Sequence, residues 1–177
     1  SIQAKNQGSV HSGTIDNSGN IILSTERTQS SNDTVTTTGN VVNQTTGKIL
    51  SAGKVVYNLG SGDLTNHGLL QSTGGTQITA RNFIQTDTGA KTLAATSSTA
   101  SDTDLASSLT LTQDLTNRAL VQAGYDLTIV ARTIKQNITS AAVLGSMSGT
   151  GAINVTLSAA YNDGGGNIAT VFSGNDL

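Results

Sequence analysis

The feature that most constrains this chain is an internal repeat that needs no gap. Residues 63–85 read DLTNHGLLQSTGGTQITARNFIQ and residues 114–136 read DLTNRALVQAGYDLTIVARTIKQ, an offset of 51 (114 − 63). Asp63, Leu64, Thr65 and Asn66 match Asp114, Leu115, Thr116 and Asn117. Leu69, Gln71, Ile78, Ala80, Arg81 and Gln85 match Leu120, Gln122, Ile129, Ala131, Arg132 and Gln136. A shorter theme runs inside this unit: an Asn, a Gly or small residue, an aliphatic pair, a Ser/Ala-Gly turn, and another alternating run. It opens at Asn17, Asn43, Asn66 and Asn117, with spacings of 26 (43 − 17), 23 (66 − 43) and 51 (117 − 66), and Asn137 follows Asn117 by 20. Repeats of this length imply stacked supersecondary units that bury a core only together.

Within each copy, aliphatic residues alternate with Thr, Ser or Gln, as in Leu127-Thr128-Ile129-Val130-Ala131. Alternation with period two puts one face of a strand in a core and the other in water. Gly and Asn separate the runs, and both suit tight corners. No segment carries a helical stripe. The expectation is an all-β chain: a right-handed parallel β-helix (solenoid) of about seven to nine coils with irregular insertions. Residues 1–177 form one such unit. Residues 25–40 and 86–113 match the repeat poorly and read as loops or irregular coils. A short surface helix over 103–109, capped by Asp102 or Thr103, fits the second stretch.

Composition agrees with a narrow aliphatic core. Only 11% of residues are charged and 3% aromatic, with 20 Gly, no Pro, no Cys and no Trp. A net charge of −2 and abundant Val, Ile and Thr argue against wholesale disorder. No apolar run is long enough for a membrane span. Ser1-Ile2-Gln3-Ala4-Lys5 lacks a charged n-region and an apolar h-region, so a secreted parent is expected to carry its signal elsewhere.

The corner residues Asn66, Asn117, Gly68 and Gly124 are the structural candidates. Two readings of the asparagines stand side by side: their amides stack and bond neighbouring coils, or each caps its own turn. Tyr125, which follows a corner glycine, is a candidate surface contact, as are Asp102 and Asp104. Phe83 aligns with Ile134 and reads as core.

Catalysis is not expected. Glycoside hydrolysis needs two carboxylates converging on one bond. Asp102 with Asp104, or Asp114 with Asp126, are the pairs on offer. The first sits in a Ser/Thr/Ala stretch, and Asp114 shares its repeat position with Asp63, which reads as a turn residue. Two histidines, His11 and His67, without cysteine make a zinc site improbable. His67 aligns with Arg118 and reads as exposed. No calcium-roll or phosphate-loop pattern is present, so no metal or cofactor is expected. The nine Lys and Arg are scattered and the pI is near 5.4, which disfavours nucleic acid.

DLTNHGLLQSTGGTQITARN and DLTNRALVQAGYDLTIVAR resemble the hemagglutinin repeats of filamentous hemagglutinin and of contact-dependent growth inhibition exoproteins. Leu115, Asn117, Gly124, Asp126, Leu127, Ile129 and Ala131 fit that theme; Leu64, Asn66, Gly68, Leu70, Ile78 and Ala80 fit it with small departures. The close match covers about a third of the chain, with a looser one over 17–58. The resemblance implies a bacterial two-partner-secreted adhesin at the cell surface, concerned with virulence or with toxin delivery between cells. Its partners would be a receptor protein or glycan on a target cell and the neighbouring coils. Neither an N-P-N-G secretion signature nor a toxin module is found, so an internal, receptor-binding piece is expected. A passive filament spacer is the alternative, and a polysaccharide-cleaving β-helix enzyme is the weakest reading.

Overall fold

The computed structural model describes residues 2–26, 32–96 and 105–136, together with four further strands within 143–172. Among the described residues 22 strands are seen, labelled here in chain order, and every pairing is parallel. Successive strands go to three different sheets in rotation. The first sheet stacks β1 (Ile2–Gln3), β4 (Asn20–Ile22), β7 (Lys48–Ser51), β10 (Leu69–Ser72), β13 (Lys91–Ala94), β16 (Leu120–Ala123), β19 (Val143–Ser146) and β22 (Thr170–Phe172). The second stacks β2 (Ser9–Ser12), β5 (Asp33–Thr37), β8 (Val55–Asn58), β11 (Thr76–Ala80), β14 (Ser107–Leu111), β17 (Leu127–Ala131) and β20 (Ile153–Leu157). The third stacks β3 (Ile15–Asn17), β6 (Val41–Asn43), β9 (Leu64–Asn66), β12 (Phe83–Gln85), β15 (Asp114–Asn117), β18 (Thr133–Gln136) and β21 (Tyr161–Asn162). This is a parallel β-solenoid.

The alternation read from the sequence is the reason for the fold. Strands β11, β14 and β17 each bury their first, third and fifth residues. Because every strand pairs in register with the next turn, buried residues stack into columns. Ile15, Val41, Leu64, Phe83, Leu115 and Ile134 form the third sheet's column. Val35, Tyr57, Ile78, Leu109 and Ile129 form the second's. Phe83 is core, as expected, and is fully buried. Each buried aliphatic contributes about 1.5–3 kcal/mol relative to exposure.

One expectation, the number of coils, is corrected. The stacked coils amount to about five turns, not seven to nine. A turn is not uniformly twenty residues: Ile21 to its partner Ile49 spans 28 (49 − 21), whereas Ile49 to Leu70 spans 21 (70 − 49). Inserted chain therefore takes up length that the repeat count assigned to coils. The stretches read as loops or irregular coils include core strands. Asp33–Thr37 is a regular strand within 25–40, and 86–113 holds β13 and β14. Ser107–Leu111 is strand, so a helix does not run to residue 109. Asp102 and Asp104 lie outside the described residues.

The 51-residue unit now has a structural meaning. Leu64 pairs with Phe83 and Phe83 with Leu115, so DLTN at 63 and at 114 begin third-sheet strands two turns apart.

Candidate functional site

No cleft concentrates reactive groups in the described residues. The polar chemistry is arranged in columns along the corners and on the sheet faces.

The deepest column lies where the third sheet turns into the first. Asn17 Nδ2 donates to Asn43 Oδ1 at 2.8 Å, and Asn43 Nδ2 to Asn66 Oδ1 at 2.9 Å. Asn66 Nδ2 donates to Gln85 Oε1 at 2.8 Å, and Gln85 Nε2 to Asn117 Oδ1 at 3.2 Å. All five side chains are buried. Burial costs an amide nothing extra when every donor and acceptor is matched, and here they are. Each amide also serves its own or the next turn. The backbone N–H of Gly19, Gly68 and Ala119 donates to the Oδ1 of Asn17, Asn66 and Asn117 respectively. Asn66 Nδ2 also reaches the Lys91 carbonyl at 3.0 Å. Both open readings of Asn66 and Asn117 are therefore realised at once: they bond between turns and cap locally. They do not touch each other, because Gln85 stands between them.

Gln85 is the member that sequence reasoning missed. Its signal was present, since Gln85 and Gln136 are identical across the repeat. The backbone also sets Gln136, rather than Asn137, opposite Asn117. Gly68 is required by close approach: a Cβ there would collide with the carbonyl oxygens of Gly47 and Gln44. Gly124, at a different corner, has the Ala95 carbonyl in the same place. Tyr125 beside it is partly exposed.

A second column holds the corner between the second and third sheets. Arg81 grips Asp63 through Nε at 2.9 Å and Nη2 at 2.6 Å, and Asn82 Nδ2 adds a bond at 2.9 Å. Arg132 and Lys135 donate to Asp114 at 2.9 and 2.7 Å. The backbone N–H of Asp114 in turn donates to Asn82 Oδ1 at 3.0 Å. The Arg81 hydrogen bond, helped by Asn82 and the Arg81 charge, holds the Asp63 carboxyl below the usual range against its own desolvation. For Asp114 desolvation pushes upward, but the Lys135 bond and the charges of Lys135 and Arg132 outweigh it and lower the pKa. The Asp and Arg identities of the repeat are thus one ion pair used twice.

At the third corner, between the first and second sheets, Asp33 is buried, and its bonds to the described residues come from neutral donors. Its Oδ1 accepts from the Gly8 N–H at 2.8 Å; its Oδ2 accepts from the hydroxyls of Ser51 at 2.6 Å and Ser24. Tyr57 is fully buried nearby. Burial first, and the Asp33 charge second, push its phenol well above the ordinary range.

Of the carboxylate pairs weighed for catalysis, Asp102 with Asp104 lies outside the described residues, and Asp114 with Asp126 is separated. Asp114 bonds Arg132 at one end of the second sheet, and Asp126 precedes β17 at the other. The five residues of β17 between them span roughly 16 Å, too far to flank one glycosidic bond. His67 is partly exposed and lies 3.1 Å from Asp87. No group of three or more His, Cys, Asp or Glu that could hold a metal ion occurs among the described residues. No helix there is long and apolar enough to cross a membrane.

The outward faces differ. On the second sheet, one outer column runs Ser9, Thr34, Val56, Gln77, Ser108, Thr128. Its neighbour runs His11, Thr36, Asn58, Thr79, Thr110, Val130. On the first sheet, the columns run Asn20, Lys48, Leu69, Lys91, Leu120 and Ile22, Leu50, Gln71, Leu93, Gln122. No protein-family model, curated protein or solved structure matches this chain.

Proposed function

We propose that this chain is an adhesive, receptor-binding segment of a large bacterial two-partner-secreted exoprotein, displayed at the cell surface and able to serve contact-dependent toxin delivery. Its coils are wound right-handed, as parallel crossovers are. One observation carries the reading. The residues that make the chain resemble hemagglutinin repeats are spent on holding turns together: the Asn66 and Asn117 amides, and the Asp63–Arg81 and Asp114–Arg132 pairs. A rod whose internal chemistry is structural offers its outer surface for recognition, and surface features on a rigid scaffold carry binding. The partner on this reading is a receptor protein or glycan on a target cell.

Incubating the purified chain with candidate target cells tests it. Saturable binding that disappears on cells stripped of one surface component supports adhesion; absence of binding to every cell type overturns it. The competing reading is a passive spacer. Deleting residues 63–113 removes two turns and rejoins the chain in register, because Asp63 and Asp114 occupy the same corner. A spacer tolerates that deletion with a shorter reach, whereas an adhesive surface on those turns loses binding.

A further inference from the structure

Outward columns of a solenoid meet water and are expected to be polar, as those of the second sheet largely are. The first sheet departs from this. Ile22, Leu50, Leu69, Leu93 and Leu120 all point outward and are only half-buried. Lys48 and Lys91 stand exposed among them. Neither lysine has an ion pair among the described residues, although Arg81, Arg132 and Lys135 are all paired. Beside these columns, at the corner with the third sheet, runs a groove of about 260 Å³. It is lined by Thr45, Thr46, Lys48, Gly68, Leu69 and Lys91. Of the acidic groups on that corner, Asp87 faces His67 and Asp16 accepts from Gln44.

We infer that this face docks an amphipathic α-helix of a partner protein, acidic and leucine-rich on one side, lying along the solenoid axis. The inference rests on the adhesive reading and names the chemistry of its partner. The geometry points to a helix. Lys48 and Lys91 are two rungs apart with Leu69 on the rung between. Two rungs rise about 10 Å, and residues seven apart on a helix are separated by about 10.5 Å. A helix with Glu at two such positions and Leu between them therefore meets Lys48, Leu69 and Lys91 in step. The outward leucines supply apolar area that a polysaccharide would not use, and helix-in-groove docking relies on such anchors. A membrane surface fits less well, because half-buried leucines on a flat sheet do not project far enough to enter acyl chains.

The test uses the whole chain and a synthetic amphipathic peptide of about 20 residues, with Glu at positions seven apart and Leu between them. Fluorescence anisotropy should show saturable binding. The double variant Lys48→Glu/Lys91→Glu should weaken it at least about tenfold, since like charges then face each other. Thr79→Glu, on the second sheet, should leave it unchanged. Circular dichroism melts establish that both variants fold. No binding of the peptide, or binding indifferent to the lysines, overturns the inference. So does lysine-dependent binding to anionic phospholipid vesicles or to a sulfated polysaccharide without binding to the peptide. The cell-binding assay separates the two proposals. If Lys48→Glu/Lys91→Glu still binds cells while the wild-type chain ignores the peptide, this inference falls and the adhesive reading stands. If the wild-type chain binds the peptide but no cell, the reverse holds.

Discussion

The corner from the third sheet to the first and the corner from the first to the second carry opposite kinds of connection. At the former, five connections are two to five residues long. At the latter, three connections have three residues and β1 to β2 has five (4–8), but β4 to β5 takes ten (23–32) and β13 to β14 takes twelve (95–106). The difference follows from what holds each corner. Five amides in a continuous buried chain need every turn to arrive in the same geometry. The other corner is lined by small side chains such as Ser51, Ser72, Ala94 and Ala123, which leave the backbone free to depart and return.

Return has its own device. Asp33 and Ser107 each open the strand that follows a long connection, and both are buried. Asp33 accepts from the backbone N–H of Gly8, and Ser107 from that of Thr76 at 3.1 Å. Gly8 and Thr76 hold the same place one turn earlier. In turns with three-residue connections that place is taken by Val55, Thr76 or Leu127. A side-chain oxygen that accepts the backbone N–H of the turn before thus marks where inserted chain rejoins the stack.

The largest effect is expected at the ladder. Asn66→Asp keeps the shape but aims a carboxylate at Gln85 Oε1 and the Lys91 carbonyl, both acceptors. An uncompensated buried charge costs about 3–5 kcal/mol, read as a loss in urea unfolding at pH 7. Its folded pKa is raised, so the deficit should shrink as pH falls through that raised value. A loss that does not depend on pH would show that shape, not amide pairing, holds this corner. At the re-entry corner, Asp33→Ala removes the acceptor of one N–H and two hydroxyls, and about 2–3 kcal/mol should be lost. Ser107→Ala removes a single acceptor and should cost about 1 kcal/mol. Equal losses for the two would break the idea that re-entry is held in proportion to the bonds made.

These contrasts also explain what could be read in advance. Leu127 to Ala131 alternates aliphatic and polar residues, and its strand was plain. Asp33-Thr34-Val35-Thr36-Thr37 alternates just as strictly, but its inward residues are Asp, Val and Thr, so composition disguised a core strand as a loop. Asn66 and Asn117 were visible because Asn recurs. Gln85 was hidden because one more methylene lets a Gln fill an Asn rung, a substitution that a search for asparagine passes over. The outward leucines of the first sheet escaped for another reason. Leu69 and Leu70 look alike in sequence, and only register tells that Leu70 enters the core while Leu69 faces out.

A smaller effect belongs to the corner between the second and third sheets. The folded pKa of Asp63 and Asp114 lies below that of an unfolded carboxylate. Such groups add stability that is fully present above the unfolded value and is lost as pH falls through the folded one. Asp63→Asn and Asp114→Asn should each flatten the acid limb of the stability curve. At neutral pH each should cost under about 1 kcal/mol, since Arg81, Arg132 and Lys135 are about half exposed. An acid limb that stays steep in the double variant would place the acid-sensitive group elsewhere.

The smallest effect tests the comparison most directly. Doubling the twelve-residue connection between β13 and β14 with a Gly/Ser segment lengthens a loop whose ends are already fixed, by Gly124 packing on Ala95 and by Ser107. Loop-closure entropy rises only with the logarithm of length, so about 0.6 kcal/mol should be lost. The same segment placed between His67 and Gly68 separates Asn66 from the N–H it caps and drives apart the turn that Gly68 closes against Gly47. There the loss should be several times larger. If the two insertions cost the same, the amide ladder is not what keeps its corner short, and the division of labour between the corners has to be sought in the strands.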